Sequence, residues 1–174
     1  MQTAELKYTN VAIIFHWVLA ALMIYMVFWG EGLIRNVQGT FYPSMHASIG
    51  IVILVLSVAR LAWRLLNPPP PNMPMPGWQV TASNITHWLF YILMIGLPIS
   101  GMAAFDYKLT RTPEVAGASV FGLFSVPHFS MGWLGSLHDV GSKLVIALLI
   151  IHVGAALKHQ FWDKDNLLRR MSPH

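Results

Sequence analysis

Four long apolar runs alternate along the chain with short polar or proline-rich segments. They read as helices over about Val11–Gly30, Ser44–Leu65, Ser83–Phe105 and Trp133–Leu157. A helix needs roughly 20 apolar residues to cross a bilayer, and each run approaches or exceeds that length. The pattern therefore predicts an all-α integral membrane protein, a four-transmembrane-helix bundle formed by residues 1–174 as one membrane domain. Between the second and third runs lies Pro68-Pro69-Pro70-Pro71-Asn72-Met73-Pro74-Met75-Pro76. Proline lacks an amide hydrogen and clashes with the preceding turn, so this segment is expected to be a stiff extended connector on the membrane surface. The first run follows Lys7 and could be mistaken for an export signal. It is too long for one, and Trp29-Gly30-Glu31-Gly32 offers no small-residue cleavage pattern, so it is read as retained.

Composition agrees with a lipid environment: 55% of the residues are apolar and 10% charged, against about 25% charged in an average soluble domain. There is no cysteine, which excludes disulfides, iron–sulfur ligation and thiolate chemistry. The net charge of +4 resides in short segments between spans rather than on a continuous face, so topology explains it better than a nucleic-acid partner. Lys7, Arg60, Arg64, Lys158, Lys164, Arg169 and Arg170 fall on one side, and Arg35, Lys108 and Arg111 on the other. By the positive-inside rule both chain ends face the cytoplasm, and the bacterial inner membrane is the simplest host. The two halves resemble each other weakly. His16-Trp17 and His87-Trp88 open the first and third spans, while Ser44-Met45-His46 and Ser136-Leu137-His138 open the second and fourth.

Five histidines, His16, His46, His87, His138 and His152, lie within or at the mouths of apolar spans, where ionisable groups are costly and usually functional. His138 and His152 are fourteen residues apart, a rotation about 40° short of four full turns, so both project from nearly one helix face about 21 Å apart. That separation suits two haem irons, one near each membrane surface. His46 lies level with His138 and His16 level with His152, which predicts two bis-histidine pairs: His46 with His138 outside, and His16 with His152 inside. Neutral imidazole on both faces leaves iron no open position and suits electron transfer. His87 competes with His16 for the inner site, or instead contacts a propionate or a quinone. With no Cys-x-x-Cys-His motif, the haems are expected to be b-type, held without covalent attachment.

Arg60 follows His46 by fourteen residues and is read either as facing the inner haem's propionates or as a snorkelling anchor. His159, seven residues beyond His152 and on the same face, is a candidate hydrogen-bond donor to a quinone headgroup, with Trp162 close by at the interface. Asp139 and Lys143 stand four apart and can pair along the helix. His128 and His174 look unremarkable, and most of the tryptophans read as interfacial anchors. No side chain is assigned a catalytic role.

His16-Trp17, His46, Leu97-Pro98 followed by Gly101, and His138 with His152 occur here in an order that resembles the bacterial cytochrome b561 family, the small di-haem four-helix type. The tail Phe161-Trp162-Asp163-Lys164-Asp165-Asn166-Leu167-Leu168-Arg169-Arg170-Met171 is also similar to that family's ending. The resemblance spans essentially the whole chain. It implies two b haems ligated by His16, His46, His138 and His152, electron exchange with ubiquinone, and oxidation of superoxide at the periplasmic side. Lys143 departs from the pattern.

The leading expectation is thus a superoxide:ubiquinone oxidoreductase, whose outer surface attracts an anion through Arg35, Lys108, Arg111 and Lys143. Glu31, Asp106 and Glu114 are interleaved with them and weaken such a field. The alternatives are a haem-bearing anchor subunit that passes electrons between a partner dehydrogenase or hydrogenase and quinone, and a haem-free transporter or assembly factor.

Overall fold

In a computed structural model of the protein, residues 7–35, 41–109, 117–129 and 131–172 are described; for 31–35, 106–109 and 132 the description covers the backbone alone. Arg111 and Glu114, with the side chains of Glu31, Arg35, Asp106 and Lys108, therefore lie outside the described residues, as does His174. The helices are α1 (Asn10–Arg35), α2 (Phe41–Leu66), α3 (Gly77–Leu109) and α4 (Gly132–Lys158). All four are long and apolar enough to cross a membrane. The chain is a four-helix membrane bundle, and each helix runs somewhat past its predicted ends.

Those extensions have local causes. Thr9 starts α1: its hydroxyl accepts from Ala12 N at 3.3 Å and its carbonyl from Ile13 N at 3.0 Å, satisfying amides that lack helical partners. The same hydroxyl accepts from Trp63 Nε1 at 3.1 Å, tying the end of α2 to the start of α1. Pro68 ends α2, and Asn67 bonds back to the Trp63 carbonyl through its backbone N and its side-chain Nδ2. The residues that follow carry no helix until Pro76, whose carbonyl receives Gln79 N at 2.9 Å as α3 begins. The polar start of α3 therefore belongs to the helix and not to the connector.

The interior is a column to which every helix contributes: Leu19 and Met23 from α1, Ile53 from α2, Tyr91 and Met94 from α3, and Val145 from α4. Large apolar side chains such as Ile14, Val55, Ile92 and Ile150 point outward, the arrangement expected where the surroundings are hydrocarbon rather than water. Helices α3 and α4 pack most extensively, followed by α1 with α2 and α2 with α3. Glycine permits the closest approaches. A Cβ on Gly135 would stand 3.2 Å from Ala104 Cα, and one on Gly141 would stand 2.8 Å from a Leu97 methyl.

A small hairpin between α3 and α4 has no counterpart in the hydrophobic pattern. Strands β1 (Ser119–Val120) and β2 (Phe124–Ser125) pair antiparallel through a turn with positive φ at Phe121 and Gly122, closed by Leu123 N to the Val120 carbonyl at 2.9 Å. Two-residue strands are too short to register as a period. The turn also places Phe where Asn, Asp or Gly is the usual signal. The hairpin is held by α2: Ser44 Oγ accepts from Ser119 N at 3.0 Å, and Ser48 Oγ from Phe121 N at 2.9 Å. Ala118, Val120 and Val126 are buried beneath it against Ala47, Ile51 and Phe105.

Candidate functional site

The histidines gather at two levels of the bundle. At one end, His46 of α2 and His138 of α4 face each other with ring centroids 6.1 Å apart and planes at 69°. The two glycines here make room for rings. A Cβ on Gly101 would lie 3.0 Å from His138 Cε1, and one on Gly30 would lie 3.6 Å from the His46 ring. His138 Nδ1 is 2.9 Å from the Leu97 carbonyl. A carbonyl only accepts, so Nδ1 carries the proton and Nε2 is left with its lone pair. Ser100 Oγ also donates to the Leu97 carbonyl at 3.0 Å. This environment orients an imidazole for metal ligation through Nε2.

At the other end, His152 of α4 is flanked by two rings: His16 of α1 at 6.2 Å and His87 of α3 at 6.0 Å. The matching histidines of the first and third helices thus meet one partner, and ring distance does not separate them. Phe90 stands edge-on to His152 at 5.3 Å. Arg60 reaches this cluster, with Nη2 3.2 Å from His16 Nδ1 and its guanidinium 5.7 Å from the centre of the Tyr91 ring. Arginine has only donors, so in this contact His16 Nδ1 accepts and the ring proton sits on Nε2.

An imidazole nitrogen lies about 2 Å from a bound first-row metal, so two rings ligating one ion from opposite sides have centroids about 6 Å apart. Both His46–His138 and the His152 pairs meet that spacing. The donor set is all imidazole, set among apolar helices, which suits a low-spin haem iron. On geometry and chemistry the residues fit haem at each end.

Beyond α4 the chain widens into a π-helical turn (His159–Asp163) and, after left-handed residues at Lys164 and Asn166, tightens into a 3₁₀ turn (Leu167–Met171). His159 is 12% exposed, and its Nδ1 lies 2.5 Å from Asp165 Oδ2 and 3.4 Å from Asp163 Oδ2. Trp162, expected beside it, is 85% exposed and stands off the protein surface. The tail then crosses the same end of the bundle. Met171 O accepts from Trp17 Nε1 at 2.8 Å, and buried Arg170 donates to the Pro71 carbonyl at 2.8 Å. The ring of Trp17 is 5.2 Å from that of His16, so the tail reaches to within one side chain of the histidine cluster.

Asp139 and Lys143 are both exposed on α4 and form no ion pair, which corrects the pairing expected from their spacing. Both side chains are exposed, where an ion pair gains little over separate hydration. His128 bonds only locally, Nδ1 to the Val126 carbonyl at 3.0 Å. The Leu97 carbonyl, Ser100, Gly30 and Asp165 were not foreseen as parts of a site. Only the Leu97-Pro98…Gly101 motif hinted at the first two.

The family described as prokaryotic cytochrome b561 has a model that matches residues 7–174. Among curated proteins, Cytochrome b561 homolog 2 of Escherichia coli (strain K12) is 33% identical over 95% of this chain and 90% of its own length. Probable superoxide oxidase CybB of Yersinia pestis is 31% identical over 96% of each chain. Cytochrome b562 of Cereibacter sphaeroides is 27% identical over 97% of each.

Proposed function

The chain belongs to the prokaryotic cytochrome b561 family, a membrane haem electron-transfer family, and from that premise we propose a di-haem carrier that takes electrons from superoxide and delivers them to ubiquinone. The donor acts at the periplasmic face of the bacterial inner membrane and the quinone at the cytoplasmic face, where both chain ends lie. His46 and His138 hold the outer haem, and His152 with His16 the inner one. Bound there, haem supplies a one-electron couple at an iron with no open coordination position.

The observation that carries this reading is the presence of facing imidazoles at both ends of one membrane-length helix, with ring centroids 6.0–6.2 Å apart. The likeness to a probable superoxide oxidase along nearly the full chain supports the choice of donor. Ligation by His16 through Nε2 requires its proton to move to Nδ1, and hence requires Arg60 to let go. Freed, the guanidinium can turn to an inner propionate, a bidentate partner it suits. His87 then remains beside the inner haem as a propionate or quinone contact. His159, two helical turns beyond His152, donates to the quinone headgroup, and Trp162, exposed on the same turn, anchors the segment at the membrane interface.

The test is rapid mixing of the purified, haem-loaded protein with superoxide. The expected result is fast haem reduction followed by re-oxidation on adding ubiquinone. Absence of reduction by superoxide, together with a co-purifying periplasmic redox subunit that does reduce the haem, would replace this reading with that of an anchor subunit.

A further inference from the structure

Superoxide gives up one electron and no proton. The balanced reaction, two superoxide plus quinone plus two protons yielding two dioxygen and one quinol, therefore draws both protons from water. With quinone at the cytoplasmic end, those protons enter from the cytoplasmic side, and a side chain between water and quinone can hand them over and be reloaded.

We propose that His159 is this donor and that Asp165 is the residue that holds it ready, an inference that rests on the quinone reading of His159. Asp165 Oδ2 lies 2.5 Å from His159 Nδ1, so the carboxylate fixes one ring proton on Nδ1 and turns Nε2 away from the tail. When Nε2 gives its proton to a quinone oxygen, the ring is left neutral with its remaining proton on Nδ1, the form Asp165 accepts from. Water then reloads Nε2. No bond other than N–H and O–H is made or broken at these residues.

The backbone is shaped for this contact. The His159 carbonyl receives both Lys164 N and Asp165 N, which winds the chain back over the π turn, and such turns recur at functional positions. Asp165 is held from its other side as well, since Oδ1 accepts Leu167 N at 3.1 Å. Asp163 is the weaker candidate. Both its oxygens are taken by Lys158 Nζ, at 2.8 and 2.5 Å, and it stands 3.4 Å from the ring. The 3₁₀ turn packed against this segment carries Arg169, which is exposed, and Arg170, which is committed to Pro71 and to the face of Tyr8.

The experiment uses the haem-loaded protein with Asp165→Asn, Asp165→Glu, Asp163→Asn and His159→Ala. Affinity for a short-chain ubiquinone is read without turnover, by quenching of tryptophan fluorescence. Re-oxidation of the reduced haem by the same quinone is timed in H₂O and in D₂O. Asp165→Asn should bind quinone within about twofold of the parent and be reduced by superoxide normally. Its re-oxidation should slow by about tenfold or more, with a larger solvent isotope effect, short of the roughly 10²–10⁴-fold that loss of the proton donor itself would cost. Asp165→Glu should recover most of the rate, and Asp163→Asn should stay close to the parent. Parental re-oxidation in Asp165→Asn would overturn the proposal, as would a slowing that matches lost affinity with no change in isotope effect. If His159→Ala alters neither affinity nor rate, the quinone position itself is wrong. If His159→Ala loses affinity while Asp165→Asn is parental, only the pairing fails.

Discussion

At the scale of single residues, the His46–His138 end is set by what a glycine leaves out. The ring of His138 occupies the space a Cβ on Gly101 would need, at 3.0 Å, and its Nδ1 is anchored on the Leu97 carbonyl. If each end holds a haem as proposed, Gly101→Val should displace the ring and lower bound haem to about half the parental content, measured by haem extraction, with the protein still in the membrane. His46→Ala and His138→Ala should have the same outcome. Loss of both haems in any of these would show that the two ends are not independent. Arg60 places a positive charge in the other cluster, 3.2 Å from His16. Removing it with Arg60→Gln should lower the midpoint potential of the haem proposed at this end by on the order of tens of millivolts, because a nearby cation favours the reduced, less positive iron. A redox titration that resolves the two couples reads this directly, and a result in which both potentials stay at the parental values would place Arg60 away from the haem.

At the scale of elements, the β-hairpin depends on two serines of α2. Ser48 Oγ accepts from Phe121 N at 2.9 Å and donates to the Ser44 carbonyl at 2.6 Å. Phe121 has φ of 50°, a conformation disfavoured for a side chain of that size, so this bond helps to hold the turn. Ser48→Ala should leave that amide unsatisfied at a cost of about 1–3 kcal/mol. Faster hydrogen exchange at Phe121 and protease cleavage near the turn would report it, while haem content should stay at the parental level. The hairpin leaves no periodic trace in the sequence because its strands are two residues long, and it is held by side chains distant in sequence. The four helices were legible for the opposite reason, since a run that must satisfy all its backbone groups inside lipid has to be helical and nearly continuous.

At the scale of the whole molecule, the tail closes one end of the bundle. Arg170 reaches the Pro71 carbonyl and lies over Tyr8, and Trp17 reaches Met171 O, so the first and last described segments and the proline connector are joined there. Arg170→Met should loosen all three. The expected signs are new protease sites in the tail and slower re-oxidation by quinone, with haem reduction by superoxide unaffected. Reversal to Glu of Lys108 and Arg111, which lie outside the described side chains, is expected to weaken reduction by superoxide, more at low salt than at high salt, as screening requires. What the sequence alone determined is the number of helices, the helix-free connector and the recurrence of histidine at two depths, because these follow from chain-local rules of lipid solvation, proline geometry and helical rise. The tertiary structure decided what no local rule contains. His16 and His87 converge on His152, Arg60 meets His16, and a carboxylate six residues past His159 turns back onto it. Each depends on how separate segments approach one another, and that is set by packing across helices and by two left-handed residues, not by spacing along one helix.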